Sequence, residues 1–309
     1  AVPTHVRVDS IVRAATIVGN GWLERLARGR ARLAVLLDRY DHLDTVDAGS
    51  VLRMVDNYAP IDFSLLLTVV DWYRANPPFA QGITPRQVPI PGVHGKWLQS
   101  HRAAVLALAG LEDLGLLAAH AARIHFTYLD PVHRAAGSRV HDSATVGDSF
   151  APAYAPKVVV ISENKDTAIH FPPLRGAISV EGVGRGGKTV AAFPWIRQAP
   201  IVVYWGDMDR DGYEILEGYR ADFDRDLDSI LMDMRAYEEF EPFGTDTDQN
   251  GRELLAGRAR VVDRLRPLER AVYELLVGAG HTRHRRVEQE RIPLSRALAE
   301  VKELLRRRG

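Results

Sequence analysis

The chain has no cysteine, no apolar run long enough to cross a bilayer and no net charge. Each absence removes a class of protein. Without cysteine among 309 residues there is no disulfide framework, no thiolate metal site and no cysteine nucleophile. That usage fits a reducing compartment, so a cytoplasmic location is expected. The most apolar stretch, Ala103 to Ala122, is broken by Glu112 and Asp113. Ala1 to Ser10 carries no apolar core of a signal peptide, and no membrane association is expected. No repeat or low-complexity tract is visible. Apolar residues at 46% and charged residues at 26% exclude collagen-like, coiled-coil and disordered chains. The length predicts two domains at about 100–200 residues each. A start at Ala1 rather than Met is expected of a fragment.

Forty basic and forty acidic residues cancel overall but not locally. Residues 1–150 carry net +1, 151–200 net +3, 201–250 net −11 and 251–309 net +7. A neutral total therefore does not forbid a nucleic-acid partner, because binding depends on a local basic surface. Acidic and basic segments facing one another would give the same arithmetic.

Residues from Asp9 to about Asp71 repeat apolar side chains at helical spacing, with Ile11, Val12, Ala15 and Val18 and then Leu33, Leu36 and Leu37. Pro60 and the Asn76-Pro77-Pro78 cluster are expected to close helices. The Pro- and Gly-rich stretch from Ile83 to Gly92 reads as loop or wing and feeds an amphipathic helix over about Val93–Ala109. Arg139–Pro156, rich in Gly, Ser, Pro and Asp, reads as a linker at a domain boundary. Beyond it the texture becomes α/β. Lys157–Ile161, Ala177–Glu181, Ile201–Trp205 and Ser229–Met232 are expected strands, and Thr189–Arg197 and Gly212–Arg220 expected helices. The last 50 residues carry helical stripes.

In a parallel sheet, functional groups gather beyond the carboxyl ends of the strands. Glu163 follows one expected strand, and Asp207, Asp209 and Asp211 follow another. Acids from two neighbouring strands would form an oxygen cage suited to Mg²⁺ or Mn²⁺. Crowded carboxylates resist ionising together unless a cation neutralises them. An EF-hand loop counted from Asp207 would need Glu at its twelfth position, where Gly218 stands, and a helix before it, where a strand is expected. A phosphatase with an aspartyl nucleophile also places D-x-D after a strand but gives Glu163 no role. Acids capping the helix that starts near Gly212 remain the plain alternative. The glycines at 182, 184, 186 and 187 are mis-spaced for a dinucleotide-binding loop.

Glu after one strand and D-x-D after the next strand but one resembles the Toprim domain of topoisomerases, primases and certain nucleases. Ile161-Ser-Glu-Asn164, Tyr204-Trp-Gly-Asp-Met-Asp209 with Gly212-Tyr213, Ser229-Ile-Leu-Met-Asp233 and Val287-Glu-Gln-Glu290 resemble the C-terminal domain of the Wadjet anti-plasmid nuclease subunit, the JetD or MksG family. Arg86-Gln87, Ile90-Pro-Gly-Val93, Lys96 and Arg123–Pro131 resemble that family's preceding domain.

The resemblance implies a fold like the topoisomerase VI A subunit. A helical arm remnant (1–58) and a mainly α winged-helix (CAP-like) domain with linker (59–150) would precede an α/β Toprim domain with a mostly parallel sheet and a helical C-terminal extension (151–309). It also implies a homodimer that cleaves double-stranded plasmid DNA with a condensin-like SMC complex of SMC, kleisin and kite subunits.

On that resemblance Glu163, Asp207 and Asp209 are the expected catalytic residues and the ligands of Mg²⁺ or Mn²⁺. Asp211 is auxiliary, because it stands where the family carries His, and Glu290 is a further acid that would enter the same site. The usual Gly-Val-Asp-Thr-Lys-Phe is here Gly92-Val-His-Gly-Lys-Trp97, which removes a helix-start cap. No tyrosine stands near Gln81–Arg86, and Tyr58, Tyr73 and Tyr128 are expected to pack, so hydrolysis is expected rather than a tyrosyl-DNA intermediate. Lys96, His101 and Arg102, and Arg283, Arg285 and Arg286 of the run His281–Arg286, are expected to grip DNA phosphates. Lys165 and Arg185 would neutralise charge on the reacting phosphate. An inactive DNA-binding or SMC-bridging module and a small-molecule metal-dependent phosphohydrolase are the alternatives.

Overall fold

Apolar side chains recurring every three to four residues build the N-terminal unit, residues 1–120, from helices. The computed structural model describes residues 8–76, 82–118, 120–248 and 250–308. The helices are α1 (Ile11–Val18), α2 (Trp22–Arg39), α3 (Thr45–Val55), α4 (Pro60–Ala75) and α5 (Gly95–Ala109). Pro60 opens α4 rather than closing α3, since the first helical position needs no N–H partner. Pro77 and Pro78 lie outside the described residues. The helix-start cap expected to be missing before α5 is supplied by His94, whose Nδ1 accepts from the Lys96 amide at 3.2 Å. Leu36, Val55, Leu66, Val70, Val105 and Leu108 form the core of this unit. Among its described residues there is no β-strand, and Ile83–Gly92 runs through turns rather than a wing hairpin.

The C-terminal unit, residues 121–309, is an α/β layer around one six-stranded sheet. Its strands are β1 (Arg123–Tyr128), β2 (His141–Thr145), β3 (Val158–Ser162), β4 (Ala177–Glu181), β5 (Ile201–Trp205) and β6 (Asp228–Ser229), in the order β2-β1-β4-β3-β5-β6. Strands β4, β3, β5 and β6 run parallel, while β1 pairs antiparallel with both β2 and β4. Every residue of β3 and β5 is buried, as continuous β-branched and aromatic runs require in a sheet covered on both faces. The helices are α6 (Pro131–Ala135), α7 (Lys165–His170), α8 (Gly187–Ala191), α9 (Pro194–Arg197), α10 (Arg210–Phe223), α11 (Met234–Phe240), α12 (Pro267–Val277) and α13 (Leu294–Arg308). Among the described residues no helix is long and apolar enough to cross a membrane.

Three expectations change. The chain divides after His120, not within Arg139–Pro156. The stretch Arg123–Pro131 therefore belongs to the sheet unit, because Ile124, Phe126 and Tyr128 point into its core and β1 covers the free edge of β4. Part of the expected linker forms β2, a half-exposed edge strand whose polar side chains hid it. The expected strand Ser229–Met232 pairs only at its start, since Leu231 takes a positive φ of 54° and turns the chain away. The expected helix Thr189–Arg197 is two short helices, broken before Pro194.

A buried ion pair ties β6 to the helical layer. Arg220 of α10 meets both carboxylate oxygens of Glu269 at 2.5 and 2.8 Å, and the Ser229 hydroxyl donates to the same carboxylate at 2.5 Å. Burial pushes the Glu269 carboxyl up, but the Arg220 guanidinium outweighs it and holds the acid below its ordinary value.

Candidate active site

Strands β3 and β5 are adjacent and parallel, with Ser162 level with Trp205, so the residues that follow them emerge together at one end of the sheet. Glu163 leaves β3 with its amide bonded to the Trp205 carbonyl at 3.0 Å. The β5 turn follows as Gly206-Asp207-Met208-Asp209. The Glu163 carboxylate turns toward it, with Oε2 accepting from the Tyr204 hydroxyl at 3.1 Å and from the Asp207 amide at 3.3 Å. Gly206 makes this approach feasible, because a Cβ there would stand 2.5 Å from Glu163 Oε2 and 2.6 Å from the Tyr204 hydroxyl.

Asp209 caps α10, its Oδ1 accepting from the Gly212 amide at 2.7 Å. Gly212 has no room for a side chain, since a Cβ would collide with the Asp207 carbonyl. Asp209 is 5% exposed, and its other oxygen is paired with Arg286 at 2.6 Å.

The C-terminal segment closes the site. Val287 and Met208 exchange backbone hydrogen bonds of 2.9 and 3.1 Å, which lays residues 286–290 along the acidic turn. The Gln289 amide then donates to Asp207 Oδ1 at 2.8 Å. The Gln289 side chain is fully buried and spans both loops. Its Nε2 donates to the Trp205 carbonyl at 3.0 Å and its Oε1 accepts from the Asn164 amide at 3.0 Å. Asn164 caps α7 and donates its side-chain amide to Glu290.

This crowding has an electrostatic cost. Burial, the Glu163 charge and the Asp209 charge push the Asp207 carboxyl up to about 7, although the Gln289 amide pulls the other way. Burial and the Asp209 charge also raise Glu163. Burial, with Glu163 beside it, holds the Tyr204 hydroxyl well above its ordinary value. Half-buried acids that resist ionisation at the carboxyl ends of parallel strands are a pattern found at functional centres.

The structure thus brings Glu163, Asp207 and Asp209 together and sets Glu290 at their edge. Asp211 faces away, half-exposed and paired with Arg185 at 3.1 Å. As the side chains stand, no group of three or more His, Asp or Glu residues is spaced to hold a metal ion among the described residues. The trio nonetheless fits a hard divalent cation in donor chemistry: all are carboxylates, and two are raised by burial and by neighbouring negative charge, the second of which such an ion would offset.

Several residues expected to grip DNA or its phosphates are committed elsewhere. His101 stacks on Trp97 with centroids 4.1 Å apart and bonds the Trp97 carbonyl through Nδ1 at 2.6 Å. Arg102 pairs with Asp113. Arg185 reaches the buried Glu214 at 2.9 Å as well as Asp211. Arg285 bonds the Leu276 and Gly278 carbonyls at the end of α12. Arg286 belongs to the acidic site itself. Lys96, Lys165 and Arg283 are exposed. Tyr73 and Tyr128 are buried, and Tyr58 packs edge-on against His101 at 4.7 Å. Gln289 and Tyr204, which hold two of the acids in place, were not singled out from the sequence for that task.

Comparison with known proteins yields two adjoining matches. The family described as Wadjet protein JetD, C-terminal, matches residues 115–301, and one described as an uncharacterized bacterial N-terminal protein family, DUF3322, matches residues 1–110. The gap between them lies close to the division after His120. No curated protein matches the chain.

Proposed function

The chain belongs to the Wadjet JetD family, and on that premise we propose that it is a divalent-metal-dependent DNA endonuclease of Toprim type. It would work as a homodimer with a condensin-like SMC complex, hydrolysing phosphodiester bonds in plasmid DNA. The observation that carries this reading is the carboxylate trio at the ends of β3 and β5, with Asp209 buried and Glu163 and Asp207 half-buried, in which Asp207 is pushed up to about 7 by burial and its acidic neighbours. A folded chain keeps such a destabilising arrangement where function uses it.

Glu163, Asp207 and Asp209 would hold Mg²⁺ or Mn²⁺, which when bound supplies polarisation of the phosphate and a lowered pKa for water. The chain's own groups set the stage. Asp209 is fixed by the helix cap, Asp207 by the Gln289 amide, and Glu163 through Oε2 by the Tyr204 hydroxyl and the Asp207 amide. Glu163 would serve as a ligand or as the general base for the attacking water. Among the described residues the tyrosine hydroxyl hydrogen-bonded to one of the three acids is that of Tyr204, which is fully buried against Glu163, and our reading is hydrolysis without a tyrosyl intermediate. Exposed Lys96, Lys165 and Arg283 would meet phosphates, giving binding that weakens steeply with salt.

The test is cleavage of supercoiled plasmid with Mg²⁺ or Mn²⁺ and purified SMC partners, comparing wild type with Glu163→Ala and Asp207→Asn. Metal-dependent cutting that both substitutions abolish is expected. Cutting that survives both would refute the site. Turnover of a chromogenic phosphate ester without plasmid cleavage would favour a small-molecule phosphohydrolase. DNA binding with no cleavage in wild type would favour an inactive bridging module.

A further inference from the structure

We infer that Arg286 is an internal cation that closes the Asp209 side of the carboxylate site, so that binding a divalent ion and displacing Arg286 are one event. This rests on the metal-dependent reading above and goes beyond it, by naming what the ion competes with.

Both oxygens of Asp209 are occupied. Oδ1 is held by the Gly212 amide as the cap of α10, a bond the helix start would lose if it were released. Oδ2 accepts from Arg286 Nε at 2.6 Å, with a terminal guanidinium nitrogen in ion-pair contact at the same distance. The guanidinium thus covers the oxygen that Asp209 would offer a cation. Three residues further on, the Gln289 amide takes Asp207 Oδ1 at 2.8 Å. One short segment thus delivers a guanidinium and an amide to the acids in place of an ion. The segment itself is anchored through backbone bonds, Val287 to Met208 and Arg286 to Thr245. The Arg286 side chain can therefore leave while its backbone stays.

It also has somewhere to go. A cavity of about 300 Å³ borders Asp209, Arg286, Asp211 and Glu253. There a displaced guanidinium would find the Asp211 and Glu253 carboxylates, with Arg210 and Arg285 also on the lining.

The experiment is titration calorimetry of the full chain with MnCl₂, on wild type, Arg286→Gln, Arg286→Lys and Glu163→Gln, paired with thermal melts with and without the ion. Arg286→Gln should bind Mn²⁺ about tenfold more tightly than wild type, the worth of roughly one charge-assisted hydrogen bond. Its melting temperature without metal should fall, and Mn²⁺ should raise it by more than it raises wild type. Arg286→Lys keeps the charge without the guanidinium fork, should lie between the two, and carries the comparison by itself if the glutamine variant fails to fold. Wild-type Mn²⁺ binding that requires Glu163 but is unchanged or weakened in Arg286→Gln would overturn the competition and leave the metal site standing. Absence of Mn²⁺ binding in every variant would overturn the metal-dependent reading and this inference with it.

Discussion

Replacing Asp207 by Asn should change how stability depends on pH. The folded chain holds the Asp207 proton up to about pH 7, whereas an ordinary aspartate releases it near 3.8. Stability from the neutral acid is therefore fully present below 3.8 and is lost as pH rises through about 7. At about 1.36 kcal/mol per pH unit, the part of that loss between pH 5 and pH 8 comes to about 3 kcal/mol. Glu163, raised by burial and Asp209, adds in the same direction. Asn at 207 keeps an Oδ1 acceptor for the Gln289 amide and has no proton to lose. Urea unfolding of the metal-free chain at pH 5 and pH 8 should therefore show wild type losing about 3 kcal/mol more than Asp207→Asn. Equal losses in the two proteins would refute the placement of a buried, repelled carboxylate at the end of β5.

Three further outcomes follow from named contacts. Gln289→Ala leaves the Asn164 amide without its Oε1 acceptor, at roughly 1–3 kcal/mol, and removes one of two donors to the Trp205 carbonyl, which keeps the Glu163 amide; the urea midpoint should fall accordingly. Gly212→Ala forces a Cβ onto the Asp207 carbonyl, so the acidic turn must move; loss of Mn²⁺ binding with the rest of the fold retained by circular dichroism is the expected signature. Glu269→Ala leaves Arg220 charged and unpaired in the interior and should cost about 3–5 kcal/mol in chemical denaturation.

The parallel centre of the sheet was legible because its signals are local. Val158–Ser162, Ala177–Glu181 and Ile201–Trp205 are short β-branched or aromatic runs bounded by turn residues, and burial on both faces leaves them no polar positions to confuse the pattern. The acids that follow β3 and β5 were legible for the same reason. β2 was not, because an edge strand of His, Asp, Ser and Thr reads as linker until β1 is seen to pair with it. The division after His120 was missed as a consequence. The early end of β6 rests on one residue, Leu231, whose left-handed backbone no apolar pattern announces. Gln289 and Arg286 escaped because their partners are distant in the chain. Arg286 lies 77 residues from Asp209, and in sequence it is one more arginine in a basic run. Gln289 reaches Trp205 across 84 residues and Asn164 across 125, and its only sequence signal is its place in the Val287-Glu-Gln-Glu290 stretch that resembles the family.

Crystals of the chain soaked in MnCl₂ and measured at the manganese absorption edge address the central claim most directly. An anomalous peak bounded by the carboxylates of Glu163, Asp207 and Asp209, with Arg286 withdrawn from Asp209, is the result this account predicts. A peak seated on other residues, or none at an Mn²⁺ concentration that supports plasmid cleavage, would contradict it.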